Sequence, residues 1–194
     1  MKMLRNLSGK HIILASASPR RQQLLTGLEL DFEVIVRSTD ESFGPDLVAG
    51  EIAEHVANTK ADAFNGDLQP DDVLITADTV VWIDNAVLNK PADREEAIRM
   101  ISKLSGRVHQ VYTAVCIRST EKSVSFVDET HVHFSELNPE EIEHYVDTYK
   151  PFDKAGAYGA QDWIGLVGIS KLDGSYFNVM GLPVHRLYEE LRNF

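Results

Sequence analysis

HIILASASPRR, His11 to Arg21, carries a strand directly into a helix. Ile12, Ile13 and Leu14 form a short apolar run of β-branched character that predicts a buried strand, and Leu24, Leu25 and Leu28 then recur at helical spacing. Ser18 before Pro19 marks the helix start, because serine caps orphan amides and proline at the first helical position gives up no needed hydrogen bond. Arg20 and Arg21 fall in that first turn, where the positive end of the helix dipole disfavours cations unless an anion offsets them. Two guanidiniums, the free amides and the hydroxyls of Ser16 and Ser18 make a phosphate cradle. The competing reading is an ordinary capped helix with solvated arginines.

Bulk properties narrow the field. A chain of 194 residues with 43% hydrophobic and 25% charged side chains has the make-up of a globular protein with a proper core. Nineteen basic against thirty acidic side chains give a net charge of −11, which argues against binding to a nucleic-acid polymer or an anionic membrane. A small phosphorylated ligand stays open, since local clustering decides there. One cysteine, Cys116, rules out an internal disulfide framework and a cysteine-rich zinc site, and it fits a reducing compartment. The apolar run IILA is too short for a signal-peptide core and nothing approaches the length of a membrane span, so the expectation is a cytoplasmic enzyme or binding protein.

Neither a linker nor a repeat interrupts the chain, and residues 1–194 read as one domain, with room for two lobes. Phe32, Val34 and Val36 predict a half-buried strand, and Ile52 to Phe64 puts its apolar positions on one helical face, with Lys60 near the C-terminal half. VLITADTVVWI, Val73 to Ile83, is the longest strand-like run, and Asp78 with Thr79 interrupts it. A carboxylate between Ala77 and Val80 either caps a turn at a strand end or serves a site, holding a metal or taking a proton from water. Lys90 beside Pro91 is a second candidate phosphate contact. Asp93 with Glu96, and Asn138 with Glu141, are capping boxes for two further helices. Val108 to Arg118 and Val124 to Phe134 predict a long hairpin; His131 and His133 share a face of its second strand without a third metal ligand. In DKAGAYGAQ, Asp153 to Gln161, small residues describe backbone in close contact with something, and Gln161 could offer both donor and acceptor to a base edge, the competing reading being a tight structural turn. Ile164 to Ile169 reads as a strand, Gly174-Ser175 opens an irregular piece, and Leu182-Pro183 starts the last helix.

The standard phosphate and hydrolase signatures GxxxxGK, GxGxxG, GxSxG and HExxH are absent from the sequence. What remains is a set of dispersed carboxylates and cations. Taken in order, SASPRR (Ser16 to Arg21), ADTVV (Ala77 to Val81), NKPAD (Asn89 to Asp93), KLSGRVHQVYTAV (Lys103 to Val115), DKAGAYGAQ and GLPV (Gly181 to Val184) resemble the Maf family of nucleoside triphosphate pyrophosphatases. The resemblance runs in register over nearly the whole chain.

That resemblance implies an α/β fold similar to inosine triphosphatase: an elongated, twisted mixed sheet flanked by helices, with two lobes and a nucleotide cleft between them. It implies Asp78 as catalytic base, and Arg20, Thr79 and Gln161 as marks of the subgroup acting on dTTP and UTP. A sister subgroup prefers 7-methylguanosine triphosphate. The expected reaction yields a nucleoside monophosphate and pyrophosphate. A Mg²⁺ or Mn²⁺ ion would be held by Glu41 and Asp78, and Ser16, Arg20, Arg21, Lys60 and Lys90 would bind the phosphates. A homodimer is the implied assembly. The alternatives are a nucleotide-sensing regulator without turnover, linked to cell division, and the same chemistry with another base. Here Ala17 stands where a glycine is common in the family, and Asp162-Trp163 stands where a glycine commonly follows the glutamine.

Overall fold

A computed structural model describes residues 4–194 and places them in an α/β fold built on a seven-stranded mixed sheet. β1 (His11–Leu14) runs parallel both to β2 (Glu33–Val34) and to β3 (Asp72–Ile83). From β3 the sheet continues antiparallel through β5 (Val108–Arg118), β6 (Ser123–Phe134) and β7 (Ile169–Asp173), while the short β4 (Ala86–Leu88) folds back on the far end of β3. The alternation of β1 and β3 decides what covers each face. Ile12, Leu14, Val73 and Ile75 pack with Leu25 of α1 (Pro19–Thr26) and with Leu187 and Leu191 of α7 (Val184–Asn193). The intervening Ile13 and Leu74 pack instead with Ala61 of α2 (Gly50–Asp62) and with Phe64.

Two lobes result. The second half of β3 and the first half of β5 bury Val81, Ile83 and Val111 against α3 (Arg94–Leu104), α4 (Pro139–Tyr149) and α5 (Trp163–Gly168), apart from the core around β1, α1 and α7. β3, β5 and β6, each eleven or twelve residues long, pass through both.

Two features of the sheet position a site. The chain leaves β1 for β2 on one side and returns to β3 on the other, so β1 ends at a topological switch point, where open α/β sheets leave a crevice. In addition, β1 pairs with β3 only as far as Ile75, and β4 joins the same edge only from Val81. Thr76 to Val80 therefore have β5 on one side and, among the described residues, no strand on the other.

Local signals account for most element boundaries. Ser18 Oγ accepts from the Arg21 amide with Pro19 at the first helical position, and Asn138 with Glu141 forms the reciprocal box. At Asp93 the cap is present, but Glu96 accepts from the Ala92 amide one residue further back. Three segments differ from the sequence reading. Ile164 to Gly168 is helical: Ile164 and Gly168, four apart, are buried while Leu166 and Val167 between them are exposed, a helical period that a short apolar run conceals. Only Glu33 and Val34 of the Phe32 to Val36 stretch pair, as an exposed edge. The piece after Gly174-Ser175 forms a short helix, α6 (Tyr176–Val179), capped by Ser175.

His109 of β5 is wholly buried, with Nε2 2.7 Å from the Tyr158 hydroxyl and its ring edge-on to Phe134 and Tyr158. Burial, with a smaller push from His133, lowers its pKa to about 3. The unfolded chain thus binds the extra proton first, and stability falls as pH drops from about 6.5 toward 3. Replacing His109 by Gln should remove about 2 kcal/mol of the stability lost between pH 7 and pH 5. Urea unfolding of both proteins at the two pH values measures the difference; an unchanged loss would show that His109 is not kept neutral.

Candidate active site

The unpaired edge of β3 opens into a hollow of about 410 Å³ that both lobes line. Successive strand residues point to opposite faces, so Asp78 and Thr79 can share this space only because the missing strand leaves it open on both sides. On the α2 face, Thr76 Oγ1 donates to the Ala57 carbonyl at 2.7 Å, which fixes the helix over the strand. One step along each element, Lys60 Nζ lies 2.8 Å from Asp78 Oδ1. The same ammonium lies 3.1 Å from Glu41 Oε1, so two carboxylates from separate segments converge on a single positive charge. Lys60 and Asp78 are only 16% and 17% exposed, so the pair is largely withdrawn from screening by solvent.

The other face is organised by Arg21. Its Nε donates to the Gly181 carbonyl at 2.7 Å, Nη1 to the Ala77 carbonyl at 2.8 Å and to Ser16 Oγ at 3.4 Å, and Nη2 to Thr79 Oγ1 at 3.0 Å. Four of its five N–H groups are thereby used on protein, and one Nη2 hydrogen is left for a ligand. The Ala77 carbonyl belongs to the edge that lacks a strand, so the guanidinium supplies what a neighbouring backbone would. Burial pulls Arg21 below the ordinary arginine range, with Arg20 adding to the fall and Asp78 and Glu41 opposing it.

Arg20 points the other way. Its Nη1 lies 3.2 Å from Asp153 Oδ2, and Asp153 Oδ1 lies 2.8 Å from Lys154 Nζ, a chain of charges along the rim. Lys90 lines the hollow and makes no ion pair among the described residues. Ser16 Oγ accepts from the Ser18 amide as well as from Arg21, which leaves its own hydrogen to donate. Gln161 lines the same hollow as Thr79. Its loop is close-packed: a Cβ on Gly159 would lie 2.6 Å from Asp162 Oδ2, and one on Gly156 would lie 3.0 Å from Val81. Asp162 is structural, accepting from the Tyr145 hydroxyl at 2.8 Å.

All nine residues singled out in the sequence border this hollow or the crevice that continues it past β1. Sequence reasoning passed over Asp153 and Lys154, although both lie in a quoted motif; their charges were the available signal. It also passed over Thr113 and Asn178, behind Thr79, for which no local signal exists. Five cationic side chains against three carboxylates line the hollow, an excess of positive charge in a chain of net charge −11. Such a surface suits a polyanion. Glu41 and Asp78 are hard oxygen donors that each give Lys60 one oxygen, and their second oxygens suit a divalent ion that takes its remaining ligands from water and phosphate. Among the described residues no cluster of three His, Cys, Asp or Glu could hold an ion unaided.

Residues 11–194 match a family model described as Maf-like protein. A protein of Parabacteroides distasonis named dTTP/UTP pyrophosphatase is 50% identical over 99% of this chain and 100% of its own. A protein of the same name from Bacteroides thetaiotaomicron is 50% identical over 98% of this chain and 99% of its own. Among solved structures, the Ham1 protein of Staphylococcus aureus superposes with a TM-score of 0.48 at 14% identity, over 64% of this chain and 72% of that one.

Arg21→Lys keeps the charge and loses the fork. It should lower the unfolding free energy by roughly 2–4 kcal/mol, because the Ala77 and Gly181 carbonyls lose charged partners. Urea unfolding reads this directly, and unchanged stability would mean that Arg21 acts only as a point charge.

Proposed function

This chain belongs to the Maf family, and on that footing we propose that it is a nucleoside triphosphate pyrophosphatase that converts dTTP and UTP to the monophosphate and pyrophosphate. The observation that carries the reading is the Lys60 ammonium held between Asp78 and Glu41 in a hollow lined by more cations than carboxylates. The names of relatives at 50% identity supply the pyrimidine preference. Residues 1–194 act as one catalytic domain in this reading.

Asp78 takes a proton from a water as that water's oxygen bonds to the α-phosphorus, and the bond from that phosphorus to the bridging oxygen breaks. Pyrophosphate leaves with the electron pair. Lys60 holds Asp78 in place beside the water, while Arg20, Lys90 and the Ser16 hydroxyl grip the phosphates and the leaving group. Arg21 shapes the site and offers one N–H. Glu41 and Asp78 would hold a Mg²⁺ or Mn²⁺ ion, which when bound withdraws charge from the phosphate oxygens. Thr79 and Gln161 read the pyrimidine edge. A cytoplasmic setting suits the single buried thiol, and no helix among the described residues is long and apolar enough to cross a membrane. A homodimer follows from the family resemblance.

Incubation with dTTP, UTP, CTP and 7-methylguanosine triphosphate in Mg²⁺ should yield monophosphate and pyrophosphate, fastest from the first two. Ligands returned intact would point to a sensor instead. Asp78→Asn should fold and bind nucleotide yet lose roughly 10²–10⁴-fold in turnover, the span of a general base. Near-normal turnover would remove Asp78 from that role.

A further inference from the structure

Thr79 is the side chain on which base reading rests, and its hydroxyl is not free to turn. Thr113, its direct cross-strand partner on β5, has Oγ1 2.9 Å from the main-chain carbonyl of Asn178 and 3.0 Å from Thr79 Oγ1. A carbonyl only accepts, so Thr113 spends its single hydrogen on Asn178. Thr79 must then donate its own hydrogen to Thr113. From the other side Arg21 Nη2 donates to Thr79 at 3.0 Å. The Thr79 oxygen thus faces the hollow with one lone pair and no hydrogen. The carbonyl that sets this direction is itself fixed: Asn178 is fully buried, and its Nδ2 donates at 2.9 Å both to the Val111 carbonyl and to Thr130 Oγ1.

We propose that Thr113 is a positioning residue which, through the Asn178 carbonyl, makes Thr79 an obligate acceptor and so selects bases with an imide N–H. This rests on the pyrimidine-nucleotide reading above. Uracil and thymine carry one donor on their pairing edge, N3–H, flanked by two carbonyls. Cytosine presents a lone pair at that position. An acceptor fixed opposite N3 therefore attracts the first two and repels the third, and the neighbouring carbonyls are left to donors such as the Gln161 amide. Had Thr79 been free to rotate, it would serve either base.

The test compares binding of the non-hydrolysable α,β-imido analogues of UTP and CTP, with turnover of UTP measured in parallel. The intact protein should favour the uridine analogue. Thr113→Val, of nearly the same shape, should lower that preference about tenfold, within the range expected when a fixed buried polar contact is lost. Thr113→Ser should restore it. Should the valine protein not fold, Thr113→Ala provides the same comparison. A preference unchanged in the valine or alanine protein, or lost equally in the serine protein, overturns the proposal, as does an intact protein with no preference. A protein that prefers the uridine analogue in this pattern yet leaves UTP uncleaved would overturn the pyrophosphatase reading alone.

Discussion

Backbone groups on a sheet edge must find partners, and the way this chain meets that demand at Ala77 shapes everything around it. Between the end of β1 and the start of β4 the edge of β3 carries no strand among the described residues, and the Ala77 carbonyl is taken up by the Arg21 guanidinium. The same fork fastens Gly181 and Thr79, so the start of α1, the middle of β3 and the turn before α7 are joined at one point. What would otherwise be an aggregation-prone gap is instead the floor of a polar hollow.

With that floor in place, the two faces of one strand serve different chemistry. The α2 face holds an ammonium between two carboxylates, and the opposite face holds a hydroxyl whose hydrogen is already given away. In the proposed reaction, neighbouring residues in sequence thus serve proton transfer and base recognition without competing for the same atoms. The strand alternation that buries Ile13 and Ile12 on opposite sides is the reason.

Much of this was readable before any coordinates. Asp78 stood out as a charge inside an apolar strand, a placement that by itself left turn cap and site carboxylate both open, and Ser18-Pro19 marked the helix start that presents both arginines. The family resemblance placed the remaining site residues. What could not be read was the division of labour between Arg20 and Arg21: it depends on carbonyls at Ala77 and Gly181, far away in sequence, and nothing in the dipeptide distinguishes them. The helix at Ile164 to Gly168 was hidden for a related reason, since six residues span fewer than two turns and their period shows only once one side is known to be buried. Thr113 is an unremarkable strand threonine until its cross-strand neighbour is known.

Three long strands run without a break from one lobe into the other. Any bending of the lobes toward each other has to be taken up by continuous antiparallel ladders. A ligand entering from solvent meets walls joined by one hydrogen-bonded sheet, which lowers the ordering cost that two loosely linked lobes would bear at each encounter. Adjustment is left to the charged side chains at the mouth, where Arg20 can exchange Asp153 for an incoming anion without the sheet moving at all.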